Sequence, residues 1–246
     1  MLKHIEIYNE QKKCLRGYLT LPEDFKGLIV LMFHGFTGNK TEHGGHFRDF
    51  ARLLEEHHIA SLRMDFSGNG ESDGTFKDFT FDTMMAEANL LLDYVKSLDG
   101  VKNIGLLGFS MGGAVASYLA TKRSNDIDKL LLWSPAGNII EIIKTSFERS
   151  PKLKNGNADL GNFELSKEMY ESLNAYKMYD SLDCFTNPVF IVHGKKDVTV
   201  NYNYGMKYQE GFPNAKIHLV ETAGHGYDKR NEKNELFEKS LDFLKG

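Results

Sequence analysis

The chain has 246 residues, enough to bury one sizeable core, and its 41% apolar and 26% charged residues fit a globular protein in water. A formal net charge of −4 leaves no basic footprint for nucleic acid, and the two cysteines share no metal-ligand spacing. No stretch has the length of a membrane span, and Met1-Leu-Lys-His-Ile-Glu-Ile-Tyr8 alternates like a strand instead of forming a signal peptide, so the expectation is a cytoplasmic protein.

Ile5 and Ile7, then Leu15, Gly17 and Leu19, predict two short antiparallel strands closed by Pro22-Glu-Asp24. Leu28–Phe33 is a continuous apolar run, the pattern of a strand buried on both faces, and it ends in His34-Gly35-Phe36-Thr37-Gly38. Residues 47–57 have helical spacing, 59–64 form the next strand, and 65–74 a long Gly-rich loop. A helix follows over 81–97 with Met84, Met85, Ala88, Leu91, Leu92 and Val95 inward. The apolar run 104–107 leads into Gly108-Phe109-Ser110-Met111-Gly112 and a small-residue helix over 113–120.

Lys129–Trp133 is another buried strand, after which residues 134 to about 186 break the rhythm. Strands at 189–192 and 216–220, with helices at 202–210 and 236–244, complete the chain. Strand and helix alternate through most of its length. The predicted fold is α/β: a mainly parallel twisted sheet with helices on both faces, in a single domain over 1–246.

Gly-x-Ser-x-Gly between a strand and a helix suits a nucleophile elbow. The serine is held in a strained conformation clear of the sheet, and side chains at Gly108 and Gly112 would strike the neighbouring strand and helix. Taken alone, the pentapeptide also fits a Gly-rich turn with an ordinary serine. The other strand ends decide between the two. A serine hydroxyl needs a base, and His225, in Ala223-Gly224-His225-Gly226-Tyr227, follows the last strand. Asp197 follows the strand before it and could orient that imidazole. The chain order Ser, Asp, His is the one found in α/β-hydrolases, and ligands of such sheets bind beyond the carboxyl ends of the strands. Two backbone donors, the N–H groups of Met111 and Phe36, are the expected oxyanion hole.

The other histidines have plainer readings. His34 is expected to hold its own loop. His43, His46, His57 and His58 invite a metal, but no carboxylate or cysteine completes a ligand pattern, so no metal or other cofactor is predicted. Gly68-Asn69-Gly70 is no dinucleotide site, because its strand leads into a long loop and not into a helix.

In these motifs the chain resembles α/β-hydrolases, and within them the cinnamoyl and feruloyl esterases of gut and rumen bacteria. The resemblance is carried by His34-Gly-Phe-Thr-Gly-Asn39, Arg63-Met-Asp-Phe-Ser-Gly-Asn-Gly-Glu-Ser-Asp-Gly74, Gly108-Phe-Ser-Met-Gly-Gly113, Ser134-Pro-Ala136, Pro188-Val-Phe-Ile-Val-His-Gly194 and Gly224-His225. It implies Ser110 as nucleophile, Asp197 as acid, His225 as base and the Phe36 and Met111 amides as oxyanion donors. That group often has histidine before the serine and glutamine after it, where this chain has Phe109 and Met111.

The resemblance also implies that the insertion at about 134–186 forms a small cap whose polar residues grip the acyl group. Glu141 and Tyr170 fall near the family's polar positions, with Tyr176 and Tyr179 as further candidates. Ile139, Ile140, Ile143, Phe147, Phe163 and Met169 would form an apolar wall, although for any one of these residues packing onto the body is the commoner role. An aromatic-rich cap with few polar points suits an aryl or medium acyl ester.

The expected activity is therefore hydrolysis of a small-molecule carboxylic ester, of feruloyl type or another aryl or medium acyl type, through an acyl-enzyme. A monoglyceride or short-chain acyl lipase, an acyl-peptidase and a non-catalytic binding protein of the same fold remain as alternatives. The oligomeric state is open, with a homodimer among the options.

Overall fold

A computed structural model describes all residues from Met1 to Gly246. Strands β1 (Leu2–Tyr8) and β2 (Cys14–Thr20) form the predicted antiparallel hairpin. Then come β3 (Leu28–Phe33), α1 (His46–Glu56), β4 (Ala60–Met64), α2 (Phe81–Lys96), β5 (Asn103–Phe109), α3 (Met111–Lys122) and β6 (Lys129–Trp133). The predicted insertion contains α4 (Ile139–Arg149), a short hairpin of β7 (Ala158–Asp159) and β8 (Glu164–Leu165), and α5 (Lys167–Ser172). The sheet resumes at β9 (Val189–Gly194), followed by α6 (Tyr202–Gly211), β10 (Ala215–Val220) and α7 (Arg230–Lys245).

Eight strands form one sheet in the order β1-β2-β4-β3-β5-β6-β9-β10, and every pair from β4 to β10 is parallel. The chain leaves β3 to one side for β4 and returns to its other side for β5. That reversal opens a crevice at the carboxyl ends of β3 and β5, where open α/β sheets bind ligands. It brings the loop holding Phe36 beside the turn holding Ser110.

The apolar run of β3 divides by alternation, as a strand's two-residue period requires. Ile29, Leu31 and Phe33 enter one core with the inner residues of α2 and α3, whereas Val30 and Met32 enter the other. In that second core Phe47 and Phe50 of α1 and Phe237 of α7 pack around Trp133, whose indole N–H donates to Ser240 Oγ at 2.8 Å. Helices therefore cover both faces. No helix is long and apolar enough to cross a membrane.

α7 begins at Arg230, not at 236 as the apolar spacing predicts. Its first turns, Arg230-Asn-Glu-Lys-Asn, carry no apolar residue to reveal a period. They are held instead by Glu232, whose carboxylate accepts from the Lys229 backbone N–H at 3.3 Å and its Nζ at 3.0 Å.

Candidate active site

Ser110 stands between β5 and α3 with φ 54° and ψ −118°, a conformation that side chains rarely adopt. Neighbours of glycine make it attainable. A Cβ on Gly108 would lie 2.2 Å from the Gly112 carbonyl oxygen, and one on Gly112 would lie 1.9 Å from that of Phe33. The turn is anchored on both sides: Ser110 N–H donates to Trp133 O at 2.9 Å, and Ala136 N–H donates to Ser110 O at 2.9 Å.

His225 and Asp197 come to the same place from the ends of β10 and β9. His225 Nε2 lies 3.0 Å from Ser110 Oγ, and its Nδ1 lies 2.6 Å from Asp197 Oδ2. The carboxylate fixes the tautomer: Nδ1 carries the proton and donates, which leaves Nε2 to accept from the serine hydroxyl. Asp197 is buried, and burial opposes its charge. Hydrogen bonds from His193 and His225, with the Val200 amide, outweigh that cost and hold its pKa far below the usual carboxylate range. Its second oxygen, Oδ1, accepts from the Thr199 and Val200 amides at 2.9 and 2.8 Å. The ring of His225 also rests near Phe109, with centroids 5.0 Å apart.

The expected oxyanion donors belong to the loop after β3 and to the first turn of α3. Gly35 O accepts from Gly38 N–H at 3.0 Å and from His34 Nδ1–H at 2.9 Å, while His34 Nε2 accepts from Phe66 N–H at 3.2 Å. In a trans peptide the N–H points opposite to the carbonyl, so anchoring Gly35 O aims the Phe36 N–H the other way. That amide has no partner among the protein's hydrogen bonds. Met111 opens α3, so its N–H is one of the first-turn donors that no helical carbonyl can satisfy.

A cleft of about 440 Å³ lies over Ser110, lined by Gly35 to Asn39, Glu42, His43, Phe109, His225, Gly226 and Asp228. Its walls are the β3–α1 loop and the loop after β10, and no insert residue is among them. The four polar cap candidates are not among the lining residues, and Tyr179 donates its hydroxyl proton to Tyr204 O at 3.2 Å. Tyr176 is wedged between Phe81 and Tyr118, ring centroids 4.7 and 5.0 Å away, and its hydroxyl donates to Asp82 at 2.6 Å. Glu141 accepts from the Tyr204 hydroxyl at 3.1 Å, and Tyr170 is stacked on Phe147. Ile139, Ile143 and Met169 are buried in the main core, where they fasten the insert to the body.

Glu42 and Asp228 are cleft residues that the sequence reading did not single out. For Glu42 the only signal in the sequence is a carboxylate in a loop with four glycines, Gly35, Gly38, Gly44 and Gly45. Of the four histidines that invite a metal, three have separate partners. His43 Nε2 lies 2.7 Å from Asp228, His46 donates to Gly226 O at 2.8 Å, His58 Nδ1 lies 2.6 Å from Asp24, and His57 ends α1.

Comparison with known proteins agrees with the geometry at the level of fold and class. A family model described as Serine aminopeptidase, S33 matches residues 26–155. The AB hydrolase superfamily protein YisY of Bacillus subtilis is 25% identical over 252 residues, covering 85% of this chain and 90% of that protein. Lipase 1 of Psychrobacter immobilis is 26% identical, covering 81% and 71% of the two chains. The structure of Est1E from Butyrivibrio proteoclasticus with bound ferulic acid superposes with a TM-score of 0.85 at 28% identity, covering 98% of this chain and all of that one (100%). The likeness to bacterial feruloyl esterases expected from the motifs is thus found in the fold as well.

Proposed function

The chain belongs to the Serine aminopeptidase, S33 family of α/β-hydrolases, and on that premise we propose that it is a serine carboxylic ester hydrolase acting through an acyl-enzyme. One observation carries the reading: a hydrogen-bonded relay from Asp197 through His225 to Ser110, beside a free Phe36 amide. In the proposed cycle Ser110 Oγ attacks the ester carbonyl carbon and its proton passes to His225 Nε2. Asp197 stabilises the imidazolium, and the carbonyl oxygen takes its negative charge between the Phe36 and Met111 amides. Each such donor is worth about 3 kcal/mol in the transition state.

Collapse breaks the bond to the alcohol oxygen, which takes the proton from His225 and leaves. His225 then deprotonates a water, whose oxygen attacks the acyl carbon; as this second intermediate collapses the bond to Ser110 Oγ breaks, the proton passes from His225 to that oxygen, and the acid leaves. No step calls for a cofactor. The whole chain acts as one hydrolase domain with the insertion as its cap, and the unpaired Cys14 and Cys184 suit a reducing, cytoplasmic setting.

For the acyl group we favour hydroxycinnamoyl or another aryl or medium chain, a choice supported by the likeness to Est1E with ferulic acid bound. The test is the initial rate of methyl ferulate hydrolysis at neutral pH with Ser110→Ala as blank. A rate well above the blank supports the aryl reading. A rate equal to the blank, with aliphatic esters still cleaved, rejects it in favour of an acyl lipase. The family's description as an aminopeptidase favours amide cleavage as the second reading, which rates on matched ester and amide substrates separate.

A further inference from the structure

Beside the cleft, one carboxylate lies across the loop that carries the Phe36 amide. Glu42 Oε2 accepts the Gly35 backbone N–H at 2.7 Å, and its Oε1 accepts the His43 N–H at 3.0 Å. The Glu42 backbone has φ 60° and ψ 168°, a region that is essentially reserved for glycine. A side chain kept there must be held by its surroundings, and strain of this kind gathers where geometry matters for function. The neighbouring residue types fit the same purpose. A Cβ on Gly38 would come within 3.1 Å of both Glu42 carboxylate oxygens, so any larger residue there would crowd the side chain by a few tenths of an ångström.

The consequence falls on Phe36. His34 and Gly38 anchor the Gly35 carbonyl, and Glu42 anchors the Gly35 N–H, so the peptides on both sides of Gly35 are fixed. Without these bonds Gly35, which has no Cβ, would be free to rotate. With both planes held, the Phe36 N–H keeps one direction.

We propose that Glu42 is a positioning residue for the reaction: its carboxylate locks the rotation of Gly35 and so aims the Phe36 amide at the developing oxyanion. The proposal rests on the reading of Phe36 as an oxyanion donor. Glu42 itself transfers no proton and forms no bond to the substrate.

Two variants separate this role from loop integrity. Glu42→Gly relieves the backbone strain while removing the acceptor, and because the two effects oppose each other it should remain folded, as circular dichroism checks. Its kcat should nonetheless fall about 100-fold, the lower end of the scale for a lost oxyanion donor, with KM within about threefold. Glu42→Gln keeps one acceptor oxygen for Gly35 and should lose only about three- to fivefold in kcat, on the scale of one weakened hydrogen bond. Benzeneboronic acid, which forms a tetrahedral adduct on an active serine, supplies an independent readout. Its inhibition constant should rise in Glu42→Gly by the factor lost from kcat.

A Glu42→Gly enzyme that keeps more than a third of parental kcat overturns the proposal. So does a loss of kcat with unchanged boronic acid affinity, or a folded Glu42→Gln enzyme as impaired as Glu42→Gly. If the parent protein binds the boronic acid no better than Ser110→Ala does, the oxyanion reading itself has failed, whatever the variants do.

Discussion

Replacing Asp197 by asparagine changes one atom's hydrogen-bonding role and should silence the serine. Asp197 Oδ1 accepts two backbone amides, those of Thr199 and Val200, at 2.9 and 2.8 Å. An asparagine must keep its oxygen there, because its NH₂ group would face two donors. The NH₂ therefore takes the place of Oδ2 and turns a proton towards His225 Nδ1, 2.6 Å away in the parent. The imidazole can meet it only as an acceptor, so its own proton moves to Nε2, opposite Ser110 Oγ. The serine then has no base. A tautomer reversal of this kind costs about 10⁴-fold in kcat, or about 5.4 kcal/mol of transition-state stabilisation. The assay is the initial rate of p-nitrophenyl acetate hydrolysis, with circular dichroism and the thermal midpoint showing that the variant is folded. A folded Asp197→Asn enzyme that loses less than about tenfold would refute the assignment of Asp197 as the group that sets the tautomer.

Three further outcomes follow from distances in the fold. Gly112→Ala drives a methyl to within 1.9 Å of the Phe33 carbonyl, backbone that neither β3 nor α3 can move aside. It should lower stability by about 3 kcal/mol in urea titration, and a loss under about 1 kcal/mol would contradict the close approach of strand and helix. Tyr176→Phe deletes the hydroxyl bonded to Asp82, and neither residue lines the cleft, so KM for aryl esters should stay within about twofold while stability drops by about 1 kcal/mol. A large rise in KM would instead put Tyr176 in contact with substrate. Burial opposes the charge of Asp49, but hydrogen bonds from Arg48 and Lys233 prevail and bring its pKa down to about 2. A lowered folded pKa contributes stability above the unfolded value and loses it as pH falls through the folded one. The stability difference between parent and Asp49→Asn should accordingly shrink from pH 4 to pH 2, and a difference independent of pH over that range would show the pair to be idle.

The parts of this protein that the sequence discloses are those where residue type alone imposes the geometry. Leu28–Phe33 had to be a doubly buried strand, and Gly108 and Gly112 had to flank a turn that no side chain could line. Ser110, Asp197 and His225 each follow a strand of one parallel sheet, so topology brings their side chains into hydrogen-bonding range. What escaped the sequence depends on tertiary packing. Whether Tyr176 faces a substrate or a neighbour is decided by Phe81 and Tyr118, from helices earlier in the chain. Glu42 reaches Gly35 only from a backbone conformation that no propensity would assign to glutamate. The start of α7 was hidden because its first turns pack through a carboxylate instead of apolar side chains.

The most direct test of the central claim is a rapid-mixing experiment with p-nitrophenyl acetate, followed by mass spectrometry of the acid-quenched protein. The account predicts a burst of one p-nitrophenolate per chain and an acetyl group on the peptide that contains Ser110, both absent in Ser110→Ala. Hydrolysis without that adduct, or an equal burst from Ser110→Ala, would contradict an acyl-enzyme on this serine.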